Sequence, residues 1–341
     1  MRSITAIVLA AFGLGLAPPS QAADDIGIFE TLLESSVSFS ATAEVIEAAF
    51  RESDLQLHAT HDVRVPDDAH KARVYVLTAP AYIEAAAAES PRTISAQILR
   101  MALFTTGDDQ KTFINMANPV AHAMVYYSES SNYDGLIEAA QNVADQLRAL
   151  AASVPGTALN MQAAPMRSEK HYRKYKGDGP ARMMAKFRRW DKSQLPILTE
   201  PADYFPVVVD QVAARLAQGT IADAEAAVGW QVVANIPLRP DAVYIGLSNP
   251  YIEANMIGIN SRFRNDGKSE LSPYPGVDHV AALPTEVLIV REGDETVVLH
   301  YGQMWRMQLY FWDSGYRAFT ANVGVPGTIV NSIEAAIQTD R

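Results

Sequence analysis

The sequence predicts an α+β fold of two similar domains, each a mainly antiparallel sheet with helices on one face, related by an internal pseudo-twofold. Three observations predict it. The segment VYIGLSNPYIEA, residues 243–254, matches VYVLTAPAYIEA, residues 74–85, at six of twelve positions without a gap, 169 residues apart; unrelated segments of average composition share about one. Downstream in each half, Gly-Asp separates two apolar or β-branched runs, FTTGDDQKTFIN and VREGDETVVLH, the signal of a hairpin. Each half then closes on a helical stretch, the first carrying Leu136, Ala140, Val143, Leu147 and Leu150 on one face at the 3.6-residue period.

The chain opens with Arg2, an apolar run over 4–16, and SQA before Ala23. This reads as a secretory signal, residues 1–22, too short to span a bilayer, so a periplasmic or secreted location is expected. The first repeat domain is read over 36–152. It begins with a helix that places Val45, Ile46, Ala49 and Phe50 on one side, with Ser40 or Thr42 as cap. LQLHATHDVRV alternates as a strand, residues 74–77 form a strand running into a helix, and AHAMVYY, 121–127, follows the hairpin as a further strand. A basic connector is expected over 153–197. The second repeat domain, 198–338, repeats the order: a helix ending at Gly219, a strand over 243–247, Asn249 as N-cap with Pro250 at the first helical position, the hairpin, a strand RMQLYFW over 306–312, and a helix over 327–338.

Composition excludes several classes of function. The chain has no cysteine, which removes disulfides, thiolate metal sites, covalent c-type haem and cysteine nucleophiles together. A net charge of −11 argues against general nucleic-acid binding. No stretch beyond the signal reaches the ~18 apolar residues of a membrane span. Residues 167–192 run against the overall charge, with ten Lys or Arg, three acids, and Tyr172, Tyr175, Phe187 and Trp190 interleaved. Two readings stand: contact with an anionic surface or acidic partner, or a segment lying against its own acidic domains.

LSNPYIEA with ALPTEVLIVREGDETVVL in the second half, and LTAPAYIEA with QILRMALFTTGDDQKTF in the first, resemble the family known as domain of unknown function 302, in two tandem copies. The first copy has Thr93-Ile94 where that family has Leu-Pro, and the Cys often found in these segments is absent. The resemblance implies an α+β fold and dimer-like pairing; it implies no activity, and no site residue follows from it.

A search for chemistry finds no G-x-S-x-G, S-x-x-K, H-E-x-x-H or glycine-rich phosphate loop. His58 and His61 sit three apart on an alternating strand, which sends them to opposite faces. Two features remain. Ala254 to Gly293 is 39 residues where Ala85 to Gly107 is 22, so the second half carries an inserted loop near 255–279. There Arg262, Arg264 and His279 are candidates for anion or partner contacts. YGQMWRMQLYFWD, read as a strand, puts Trp305 and Tyr310 on opposite faces, one of them lining a pocket or covering the domain interface. Glu253 falls in a first helical turn, where a negative charge favours the dipole. The expected function is that of an exported binding protein, contacting a small ligand or a protein partner, with no cofactor. The alternatives are an enzyme with its site between the copies, using Glu253, His279 and Arg262 in acid–base or anion-holding roles, and a protein holding haem or a metal non-covalently through Met and His.

Overall fold

The computed structural model describes residues 25–66, 70–107, 110–179, 189–221, 228–263 and 275–338; the expected signal lies outside the described residues. The first half runs β1 (Ile26–Ser35), α1 (Phe39–Glu52), β2 (Gln56–Val63), β3 (Ala72–Thr78), α2 (Pro80–Ala85), a 3-10 segment Pro91–Gln97, β4 (Leu99–Thr106), β5 (Lys111–Ala117), α3 (Pro119–Tyr126), α4 (Tyr133–Ala152), β6 (Gly156–Arg167) and α5 (Glu169–Arg173). The second runs β7 (Gln194–Pro201), α6 (Phe205–Gln218), the small ribbon of β8 (Thr220–Ile221) and β9 (Val228–Gly229), β10 (Gln231–Arg239), β11 (Ala242–Ser248), α7 (Pro250–Phe263), a 3-10 segment Pro275–Ala282, β12 (Thr285–Glu292), β13 (Glu295–Tyr301), α8 (Gln303–Phe311), α9 (Gly315–Ala321) and α10 (Val325–Gln338).

The architecture is α+β, with two similar antiparallel sheets. Their orders are β2-β3-β4-β5-β1-β6 and β10-β11-β12-β13-β7, so the second sheet repeats the first strand for strand except for β6. Pairing fixes the correspondence: Leu77 faces Leu99 in the first sheet, and Leu247 faces Thr285 in the second. The helices that follow begin at Pro80 and Pro250, 170 residues apart. The gapless match of residues 74–85 with 243–254 is therefore out of structural step by one residue, and a one-residue step in a strand exchanges the two faces. Tyr75 turns to the outer face, where its hydroxyl donates to Glu47 of α1 at 3.1 Å. Tyr244, its partner in the sequence match, lies instead among Arg100, Glu286, Arg306 and Tyr310 between the sheets.

Helices α1 and α4 pack on the first sheet and α6 and α10 on the second. Between the halves the two 3-10 segments are exchanged: Pro275–Ala282 packs on β3, β4 and β5, and Pro91–Gln97 packs on β11 and β12. Residues 93–97 of the one and all of 276–282 but Asp278 of the other are buried, so each half completes the other's core.

Several expectations need correction. The first sheet takes β1 from ahead of residue 36, and β6 from the stretch read as a connector over 153–197, pairing β1 from Gly156 to Arg167. The rest of that stretch, where described, is built into the fold: Arg167 pairs with Asp178 at 2.7 Å, Tyr172 and Tyr175 are buried, and Arg189 pairs with Glu129. Residues 121–126 and 306–311 belong to helices, not strands, with Tyr127 and Trp312 as their C-caps. Asn118 caps α3 by accepting the Val120 amide at 3.0 Å, with Pro119 in the first turn. All eight residues of α3 are buried, so no apolar stripe betrays its period. In α8, Arg306 and Gln308 are buried and imitate the solvent face of a strand. The cap of α1 is Ser38, whose hydroxyl accepts the Ala41 amide.

Candidate ligand-binding cleft

The correspondence between halves isolates the place where they differ. In α7 the third residue is Ile252; in α2 it is Tyr82. In the first half, Tyr82 and Tyr127 are both fully buried and meet edge-on at 6.4 Å. Gln97 donates to the Tyr127 hydroxyl at 3.1 Å, and α4 packs against α2. The space is filled. In the second half the smaller Ile252 leaves it open, and α7 runs to 14 residues against 6 for α2. The added turns supply Met256 and Ile259 as a wall. The result is a cleft with about 550 Å3 of empty space, its open mouth included.

The cleft is lined from α7 by Ile252, Asn255, Met256 and Ile259, from α8 by Met307 and Phe311, and from α10 by Val325, Pro326 and Ile329. Ala282, Leu283 and Asn322 complete the apolar part of the wall and its rim. Asn249 starts α7 by accepting the Ile252 amide at 2.9 Å, which places the apolar side of that helix over the opening. Three buried polar side chains share one part of the wall: Thr285, Gln303 and Arg306. Thr285 donates to Gln303 at 3.0 Å. Arg306 donates to Glu286 at 2.5 Å and to the Ala282 carbonyl at 2.8 Å.

Behind Arg306 lies a buried polar cluster shared by both halves at corresponding positions. Arg100 on β4 answers to Glu286 on β12, His122 to Arg306 as fourth residues of α3 and α8, and Tyr126 to Tyr310 as eighth residues. Arg100 donates to the Tyr310 hydroxyl at 2.7 Å and to Ala282 O at 3.2 Å. His122 Nε2 faces Arg100 at 3.2 Å and Tyr310 at 2.8 Å. A guanidinium only donates, so Nε2 is the unprotonated nitrogen and the Tyr310 O–H donates to it. Burial, and then the charges of Arg100 and Arg306, hold the His122 pKa well below the ordinary imidazole value, and the ring is neutral.

The residues expected to form a site fall in four separate places. Tyr310 is in the interdomain cluster. Trp305 packs among Tyr126, Tyr175 and Tyr301, so both cover the interface between halves, from a helix rather than a strand. Glu253 accepts from His61 at 2.7 Å, the Arg64 amide at 2.8 Å and Ser248 at 2.7 Å. Burial opposes its charge, but these three bonds outweigh burial and hold its carboxyl below the ordinary range. His279 lies between Asp278 at 2.6 Å and Asp313 at 3.1 Å, edge-on to Phe29 and stacked on Phe311. Burial opposes its protonation, but Asp313 and Asp278 outweigh it and push the pKa up to about 9. Neither Glu253 nor His279 lines the cleft. The side chain of Arg262 and the whole of Arg264 lie outside the described residues. None of the individual candidate residues lines the cleft, but the two segments singled out from the sequence supply much of its wall: Asn255, Met256 and Ile259 from the insertion near 255–279, and Gln303, Arg306, Met307 and Phe311 from 301–313. The difference between Ile252 and Tyr82 was hidden by the one-residue slip, which sets Ile252 against Ile83.

Among the described residues no group of three His, Asp or Glu side chains is placed to hold a metal ion, and no helix is long and apolar enough to cross a membrane. No protein-family model, no curated protein and no solved structure matches the chain. The resemblance noted from the tandem motifs rests on those residues alone.

Proposed function

We propose that the chain is an exported binding protein in which a duplicated domain carries the ligand in its second copy only. The observation that supports this reading is the asymmetry at one corresponding place: Tyr82 and Tyr127 fill the first half, while Ile252 and a lengthened α7 leave an apolar cleft in the second. A buried opening of this kind, apolar with a few polar groups on one wall, suits a small, mainly apolar ligand. The first copy serves as the scaffold that completes the second copy's core through the exchanged 3-10 segments. Export rests on the signal-like residues 1–22.

The test transfers the first half's solution to the second. The neutral fluorescent probe N-phenyl-1-naphthylamine is titrated into the mature protein and into Ile252→Tyr. Saturable binding to the wild type, reduced at least tenfold in a variant with unchanged circular dichroism, supports the cleft. Equal binding by both proteins, or none by the wild type, contradicts it.

A further inference from the structure

The charges around the cleft specify the ligand's head. The cleft wall carries Arg306, and the Ala282 carbonyl that Arg306 binds at 2.8 Å also accepts Arg100 at 3.2 Å. Two guanidinium groups thus converge on one carbonyl at the cleft's inner end. One carboxylate, Glu286, faces them, and it is bonded to Arg306. Arg100 is bonded to Tyr310, His122 and Ala282 O and to no carboxylate, and its Nε has no hydrogen-bond partner. His122 is neutral, held so by burial and the two arginines. The cluster therefore holds one positive charge in excess, in a place where water does not screen it. Most of the remaining lining of the cleft, Ile252, Met256 and Ile329 among it, is apolar. In the first half the position of Arg306 is taken by the neutral His122, and the buried Tyr82 and Tyr127 fill the space corresponding to the cleft. The charge and the opening occur together.

Resting on the ligand-binding reading above, we infer that the cleft takes a single-chain aliphatic carboxylate. Its chain lies along Ile252, Met256 and Ile329, and its head accepts hydrogen bonds from Arg306 and Gln303, the latter held in place by the Thr285 hydroxyl. The bonds Arg306 makes to Glu286 and to the Ala282 and Pro284 carbonyls leave some of its five donors over, so the head adds to the existing pair without breaking it. Such a head offsets the excess charge that the protein alone leaves buried. The cleft is narrow, with about 60 Å3 of room for the centre of a water-sized sphere, which suits a slender chain better than a bulky polycyclic acid.

The experiment compares octanoate with 1-octanol, which share the chain and differ in the charge of the head. Both are titrated calorimetrically into the full mature protein at neutral pH, then into Ile252→Tyr. The expected result is octanoate binding at least tenfold tighter than octanol, with both lost in Ile252→Tyr. Equal affinities overturn the carboxylate while leaving the cleft in place. Binding of neither compound overturns both readings. Octanoate binding that survives Ile252→Tyr overturns the assignment to this cleft. No outcome depends on replacing Arg100 or Arg306, whose loss would unsettle the core.

Discussion

At the scale of single residues, buried charges hold the two halves together. Glu253 joins α7 to β2 through His61 and the Arg64 amide. Replacing it by alanine leaves the buried donors of His61 and Ser248 and the part-buried Arg64 amide without an acceptor, at a cost of about 3 kcal/mol, to be read as a lowered urea midpoint. His279 sets a pH limit. Its folded pKa of about 9 stands above the ordinary imidazole value of about 6.5. The stability it contributes is fully present below pH ~6.5 and lost as pH rises through about 9, amounting to about 3 kcal/mol. His279→Gln should lower the melting temperature at pH 7 and flatten its decline between pH 7 and 10 relative to the wild type; an unchanged slope would contradict the imidazolium between Asp278 and Asp313. The sequence showed Glu253 in a first helical turn and offered the dipole as sufficient reason. It could not show His61, 192 residues away, because a long-range partner leaves no local pattern.

At the scale of elements, the helix of the cleft wall depends on its start. Asn249→Ala removes the acceptor of the Ile252 amide and should cost about 1 kcal/mol. It should also weaken N-phenyl-1-naphthylamine binding by more than that loss of stability does at a site away from α7. A matched cap removal at Ser38, which starts α1, gives the comparison. Strands β2, β3, β11 and the two hairpins were legible because alternation and Gly-Asp turns are local signals. Helices α1, α4, α6 and α10 were legible for the same reason, each with one apolar stripe. Helices α3 and α8 were not: α3 is apolar on every side, and α8 buries Arg306 and Gln308. The burial that hides the period of α3 comes chiefly from α4, α5, β1 and the 91–97 segment of its own half, and that of α8 from α10, with β6 of the other half added. The cleft was hidden more deeply, since the identical Tyr-Ile-Glu-Ala drew the two segments into a register one residue away from the structural one.

At the scale of the whole molecule, the exchanged 3-10 segments make the halves one cooperative unit. Each covers the other's sheet, and the Arg100–Glu286 positions meet where the two copies correspond. Urea unfolding followed by circular dichroism and by tryptophan fluorescence should therefore give coincident single transitions; two separated transitions would show halves that fold independently. The repetition of sheet order was legible in the sequence as two copies, while the interlocking was not, because it lives in residues 91–97 and 275–282, which carry no shared motif. The most direct measurement of the central claim uses the methionine methyl groups. Met256 and Met307 line the cleft, Met101 and Met116 sit in the first sheet, and Met304 lines the adjoining groove beside Leu195 and Val323, which shares Gln303 and Pro326 with the cleft. Methyl-labelled methionine spectra recorded during an octanoate titration should show Met256 and Met307 shifting together and saturating, with Met101, Met116 and Met304 still. Shifts confined to Met304, or none at all, would contradict a ligand in the second half's cleft.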